Sequence, residues 1–156
     1  MSAYASGTEV TAERSKAEIE RTLERFGADQ FMSGWDADRR IAVVSFRLSG
    51  RMVRLTLPLP SADDPMVALT PSGRARTEVQ RRDELAKETR RRWRALLLVI
   101  KAKLTAVQDG ISTLEREFMA DIVLPDGRTL SEWVAPQLAR AYESAEMPAL
   151  LPRPRS

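Results

Sequence analysis

Cysteine and histidine are both absent from the 156 residues. Without cysteine there is no disulfide framework and no thiol chemistry. Losing histidine excludes more. Zinc sites built on Cys or His ligands cannot form, and neither can a Ser-His-Asp or Cys-His relay. Apart from an amino terminus, nothing titrates near neutrality from its ordinary pKa. Long apolar runs are missing too. The longest covers residues 95–100, far too short to cross a bilayer, so no membrane partner is expected. Residues 1–10 lack a basic start and an apolar stretch, so no secretory signal is expected and a cytoplasmic location fits. There is no P-loop and no G-x-G-x-x-G. The acidic pairs Asp36/Asp38 and Asp63/Asp64 lie in turn-like contexts, where Asp is favoured for local hydrogen bonding rather than metal binding. The chain therefore reads as a non-enzyme, with no catalytic residue, metal or cofactor expected.

Hydrophobic content of 43% and charged content of 30% describe an ordinary globular chain, and 156 residues suit one compact domain with a sizeable core. The distribution of charge is less ordinary. Residues 74–103 hold eleven Lys/Arg against four acids, a net +7. The remainder holds 14 basic and 18 acidic groups, a net −4, which together make the chain's +3. A basic band on a slightly acidic body points toward a polyanionic partner.

Along the chain, residues 1–14 are small and polar and read as a flexible leader, followed by one domain over 15–147. Ser15-x-x-Glu18 has capping-box spacing, and Ile19, Leu23 and Phe26 follow as one stripe of a short helix closed by Gly27. A first strand is expected around Phe31 and Trp35, then a turn at 36–38. Strands over 39–48 and 51–59 would be joined at Ser49-Gly50, pairing Leu48 with Arg51, Phe46 with Val53 and Val44 with Leu55. Period-two patterning then puts Val44, Phe46, Leu48, Val53, Leu55 and Leu57 on a core face. Ile41, Val43, Ser45, Arg47, Met52, Arg54 and Thr56 fall on the other. Residues 61–76 offer no apolar period and read as a flexible loop. A long basic helix is expected over 77–108, a third helix over 111–122, and a last one after Thr129-x-x-Glu132 that Pro136 should bend. Residues 148–156, with three prolines, read as an irregular tail. The fold class is thus α+β: an N-terminal helix, a three-stranded antiparallel sheet, a long basic helix packed on it, and a C-terminal helical extension.

In the long helix, Trp93, Leu96, Leu97, Ile100, Leu104 and Val107 form one face, at 100° per residue. Lys87, Arg90, Arg91, Arg94 and Lys101 form its neighbour, interrupted by Leu98. No acid occurs between Thr89 and Gln108. Such a stripe suits a phosphate backbone, where each neutralised phosphate releases counterions. Alternatively, it is paired internally, with Asp83, Glu84 and Glu88 serving the first two turns and Glu115, Glu117 and Asp121 as candidate partners for the rest. Arg47 and Arg54 would add to the contact if the exposed sheet face lined the same groove, and Arg74 and Arg76 would lie at its mouth.

The order of helix, three antiparallel strands and long helix resembles the core of Rad52-type single-strand annealing proteins, including small phage versions. It also resembles the double-stranded-RNA-binding domain, though the lysine-rich helix start of that module and the strand-loop motif before it are not matched, Arg81-Arg82 and Arg90–Arg92 being only a loose substitute. The stretches Arg92-Trp93-Arg94-Ala95-Leu96, Ile100-Lys101-Ala102-Lys103-Leu104 and Val123-Leu124-Pro125-Asp126-Gly127 resemble small proteins of actinobacterial phages and prophages. These resemblances imply a non-catalytic nucleic-acid-binding protein acting on single-stranded DNA in phage recombination or replication, homo-oligomeric and placed in the host cytoplasm. The alternative is an interaction or assembly protein that docks a partner through the long amphipathic helix.

Overall fold

The computed structural model describes residues 3–147, with side chains from residue 12 onward. Helix α1 spans Ala3–Arg25. Ala12, Ile19 and Leu23 are buried along one of its faces, and buried Thr22 donates its hydroxyl to the Glu18 carbonyl at 2.7 Å. Gly27, at φ 99°, ends the helix in the left-handed conformation that a Cβ disfavours. Two expectations are corrected. The helix passes through Ser15 and Glu18 without starting there, so that spacing is not a cap. Residues 3–14 are helical rather than a leader, while residues 1–2 and the tail at 148–156 lie outside the described residues.

Strands β1 (Gln30–Asp36), β2 (Ile41–Leu48) and β3 (Arg51–Pro58) form an antiparallel sheet in the order β1-β2-β3. Ser49 at φ 50° and Gly50 at φ 73° make the mirror-image turn that matches strand twist, and the expected register follows: Leu48↔Arg51, Phe46↔Val53, Val44↔Leu55. Ala42, Val44, Phe46, Leu48, Val53 and Leu55 are buried on one face. Residues 37–40 turn the chain between β1 and β2, where the Asp36 carboxylate accepts from the Arg39 N–H at 3.0 Å.

The segment after β3 is not a loop without a core face. It carries helix α2 (Pro65–Ala68), and Val67 is fully buried. Asp64 accepts from the Ser61 N–H at 2.8 Å, which is the local role expected of it. The long helix α3 spans Glu78–Gln108, opened by a capping box between Thr77 and Gln80. Leu85, Thr89, Trp93, Leu97, Ile100 and Leu104 are its buried face.

The helix expected over 111–122 is shortened to α4 (Leu114–Phe118) and a 3-10 turn at Met119–Asp121, with Ile111 left in solvent. Gly110, at φ 70°, turns the chain away, so only Leu114 and Phe118 reach the core. Phe118 meets Phe46 edge to face, centroids 5.5 Å apart. Ile122 and Val123 then run beside β3, the Val123 N–H donating to the Met52 carbonyl at 2.8 Å. Helix α5 (Leu130–Ser144) starts at the expected Thr129–Glu132 capping box, runs through Pro136 and buries none of its residues. One apolar cluster joins α1, the sheet, α3 and α4. No helix among the described residues is long and apolar enough to cross a membrane.

Candidate polyanion-binding surface

Six residues of α3 between Leu85 and Leu104 bury one face on the sheet and α1, which turns the basic face outward. Helical spacing puts Lys87, Arg90 and Arg94 on one stripe, and all three are exposed. Among the described residues none of them has a carboxylate within ion-pairing distance. Arg91 shares the stripe but is engaged: Glu88 receives it through two bonds of 2.8 and 2.7 Å. The same carboxylate accepts from Arg92 at 3.1 Å, and Arg92 also reaches the Pro58 carbonyl at 2.9 Å. These bonds hold the Glu88 pKa down to about 2, with Arg91 the main cause. Two guanidiniums share one carboxylate, so the trio keeps a net positive charge.

Lys101, at the far end of the stripe, bonds to Glu18 of α1. That hydrogen bond, then the charge of Lys101 itself, lowers the Glu18 pKa; Arg21 and Arg94 contribute from further away. One carboxylate therefore sits among three cations where α1 meets α3. Arg21 was not among the sequence candidates. Residues 12–25 carry equal numbers of acids and bases, so no local excess of charge points to it. Arg21 and Arg25 are both exposed and border a shallow depression on α1 together with Glu18, Thr22 and Glu24.

The remaining candidates lie elsewhere. Arg47 and Arg54 alternate with the buried residues of β2 and β3, so they occupy the sheet face opposite α3. Trp93, Leu97 and Ile100 fill the space between α3 and the sheet, so no shared groove opens there. Arg47 is held by Asp29 through bonds of 2.8 and 2.7 Å, which lowers the Asp29 pKa, and Arg54 pairs with Glu132 at 3.2 Å. Arg76 donates to the Met66 and Val67 carbonyls at 2.9 and 3.3 Å and faces Glu84 at 3.7 Å. The Arg74 side chain is exposed.

Internal pairing is therefore extensive: Glu88 and Glu84 pair with arginines as expected of them, whereas the carboxylates expected from other elements do not. Among the described residues Glu115 and Asp121 form no ion pair, and Glu117 offers Lys103 only its backbone carbonyl. Burial raises the pKa of Asp121 against the opposing charge of Lys103. Aromatic side chains are not arrayed along the stripe: Trp93 is buried, with Lys16 over its ring at 5.1 Å, and Trp35 lies on β1. What the stripe offers is unpaired guanidinium and ammonium groups on a rigid rod, which suits a phosphate backbone rather than base recognition. No protein-family model, curated protein or solved structure matches the chain.

Proposed function

We propose that this chain is a non-catalytic nucleic-acid-binding protein that holds the sugar–phosphate backbone along α3. Lys87, Arg90 and Arg94 contact phosphates, and Arg21 of α1 extends the track. The observation that carries this reading is that, among the described residues, exposed Lys87, Arg90 and Arg94 have no carboxylate within ion-pairing distance, while five of the other eight bases of the 74–103 band are paired with one. Successive contacts on α3 sit about one helical turn, roughly 5 Å, apart.

Single-stranded DNA is the substrate we propose, in the annealing role that the order of elements resembles. Because phosphate contacts position a strand without reading it, sequence preference is weak. The test is fluorescence anisotropy of a labelled oligonucleotide across a salt series. Three or four phosphate contacts on a single strand give a log–log salt slope of about −2 to −3. Binding that ignores salt, or no binding to single strands, duplex DNA or RNA at low salt, contradicts the proposal.

A further inference from the structure

The two edges of the sheet are treated differently. Beyond β3, the Met52 carbonyl accepts from Val123, and Val53 bridges to Ile122, so that edge is covered. Beyond β1, no described segment pairs with Gln30–Asp36. Native edges are usually blunted by lysine, proline or a bulge. The stretch Phe31-Met32-Ser33-Gly34-Trp35 has no charge and no proline, and its seven-residue strand is paired with β2 at every position. Met32 is 62% exposed and Trp35 36%.

The hairpin turn determines which backbone groups point outward. A two-residue turn of this type is closed by a hydrogen-bonded pair, here Leu48 and Arg51. Bonded pairs alternate in an antiparallel ladder, so Ile41, Val43, Ser45 and Arg47 direct their N–H and C=O groups to β1. Their partners Asp36, Gly34, Met32 and Gln30 bond inward. Phe31, Ser33 and Trp35 therefore present their N–H and C=O groups at the open edge. The same count has Met52 facing outward from β3, where it accepts from Val123.

We infer that this edge is a self-association site, and that its occupant is β1 of a second copy, antiparallel about a two-fold axis at Ser33. In that register Ser33 meets Ser33 and Phe31 meets Trp35 twice, so all three outward residues form bonded pairs. Two aromatic cross-strand contacts lie on the face where Phe31 already packs against the core. Met32 falls opposite Gly34, which leaves room for it: a Cβ built there meets nothing within 4 Å. Asp36 falls opposite Gln30, so no like charges oppose. The product is a continuous six-stranded sheet with α3 of both copies on one face. A two-fold contact uses both edges and closes, so assembly stops at two.

The test is sedimentation equilibrium of the full chain, without nucleic acid, over a wide protein concentration range. The expected mass rises with concentration from 17.5 kDa toward twice that value and no further. Ser33→Pro removes an outward N–H while sparing the ladder with β2, and holds the mass at that of one chain with an unchanged circular dichroism spectrum. Trp35→Lys places a charge on the edge and does the same, which decides the matter if the proline variant folds poorly. A wild-type mass that stays at one chain overturns the inference. So does growth past two, or self-association of folded Trp35→Lys equal to that of wild type.

Discussion

Lys101 of α3 is bonded to Glu18 of α1, 83 residues away in sequence, and that contact joins the two helices at the edge of the basic surface. Removing the lysine frees a carboxylate beside Arg21 and Arg94, while removing the glutamate frees a third cation. Opposite effects on anion binding follow. Glu18→Gln should tighten low-salt binding to an oligonucleotide, and Lys101→Gln should weaken it, both read by anisotropy. Equal changes in the same direction would mean the pair acts only through folding.

Acid should destabilise the fold. Glu88 has its pKa lowered from an ordinary 4.5 to about 2. A depressed carboxylate contributes stability that is fully present above its unfolded value and lost as pH falls through the folded one. The loss therefore runs from about pH 4.5 to about 2. Glu18, Asp29, Asp126 and Glu132 are shifted the same way, the first through Lys101, the next two through Arg47 and Arg128, and the last through the Thr129 N–H. Asp121, raised by burial, works in the opposite direction. Melting temperature followed by circular dichroism should fall across this window, and Glu88→Gln should flatten the fall. At neutral pH Glu88→Ala should cost on the order of 1–2 kcal/mol, because its carboxylate is mostly buried and receives two guanidiniums.

Phe118 is fully buried against Phe46 and ties the segment after α3 to the sheet. Phe118→Ala should cost about 3–5 kcal/mol in urea unfolding, the range for deleting a buried aromatic ring. A cost below about 1 kcal/mol would mean that the cavity closes or that the contact is not formed.

Arg74 and Arg76 are two residues apart and differ in attachment. Both backbones are tied down, Arg74 to Thr70 by its N–H at 3.1 Å and its carbonyl at 2.8 Å and Arg76 to the Ala68 carbonyl at 2.8 Å, but the Arg74 side chain is exposed whereas that of Arg76 is bonded to two carbonyls of α2. Limited trypsin digestion, read by mass spectrometry, should cut after Arg74 well before Arg76. Val67→Asp, which puts a charge at a buried position, should bring both sites to similar rates.

The sheet register was legible because Ser49-Gly50 admits the two positive φ angles of a tight hairpin and the flanking residues alternate without a fault. The long helix expected over 77–108 spans Glu78–Gln108, because its apolar stripe is continuous and Asp109-Gly110 ends it. The start of α1 was not legible: Ser15-x-x-Glu18 fits a cap, but Glu18 is held by Lys101, a partner that no local pattern names. Tertiary pairing also determined which bases stay free. Lys87, Arg90, Arg91 and Arg94 look alike along the helix, and only the position of Glu88 separates Arg91 from the rest. Arg47 and Arg54 could be assigned to a sheet face from their period, but the side on which α3 packs depends on the core as a whole. Residues 61–76 hide their anchor in a single valine, too little for any periodicity.

The central claim is that polyanions bind along α3 beside α1 and not on the opposite sheet face. Charge reversal on α3 compared with charge removal on the sheet face tests it most directly, by anisotropy of a single-stranded oligonucleotide at fixed low salt. Arg90→Glu with Arg94→Glu should weaken binding by about tenfold or more, through lost phosphate contacts and added repulsion. Arg47→Gln with Arg54→Gln should leave it within about twofold, since both arginines face away and already serve Asp29 and Glu132. Retained binding in the first variant, or an equal loss in the second with both proteins folded, would contradict the account.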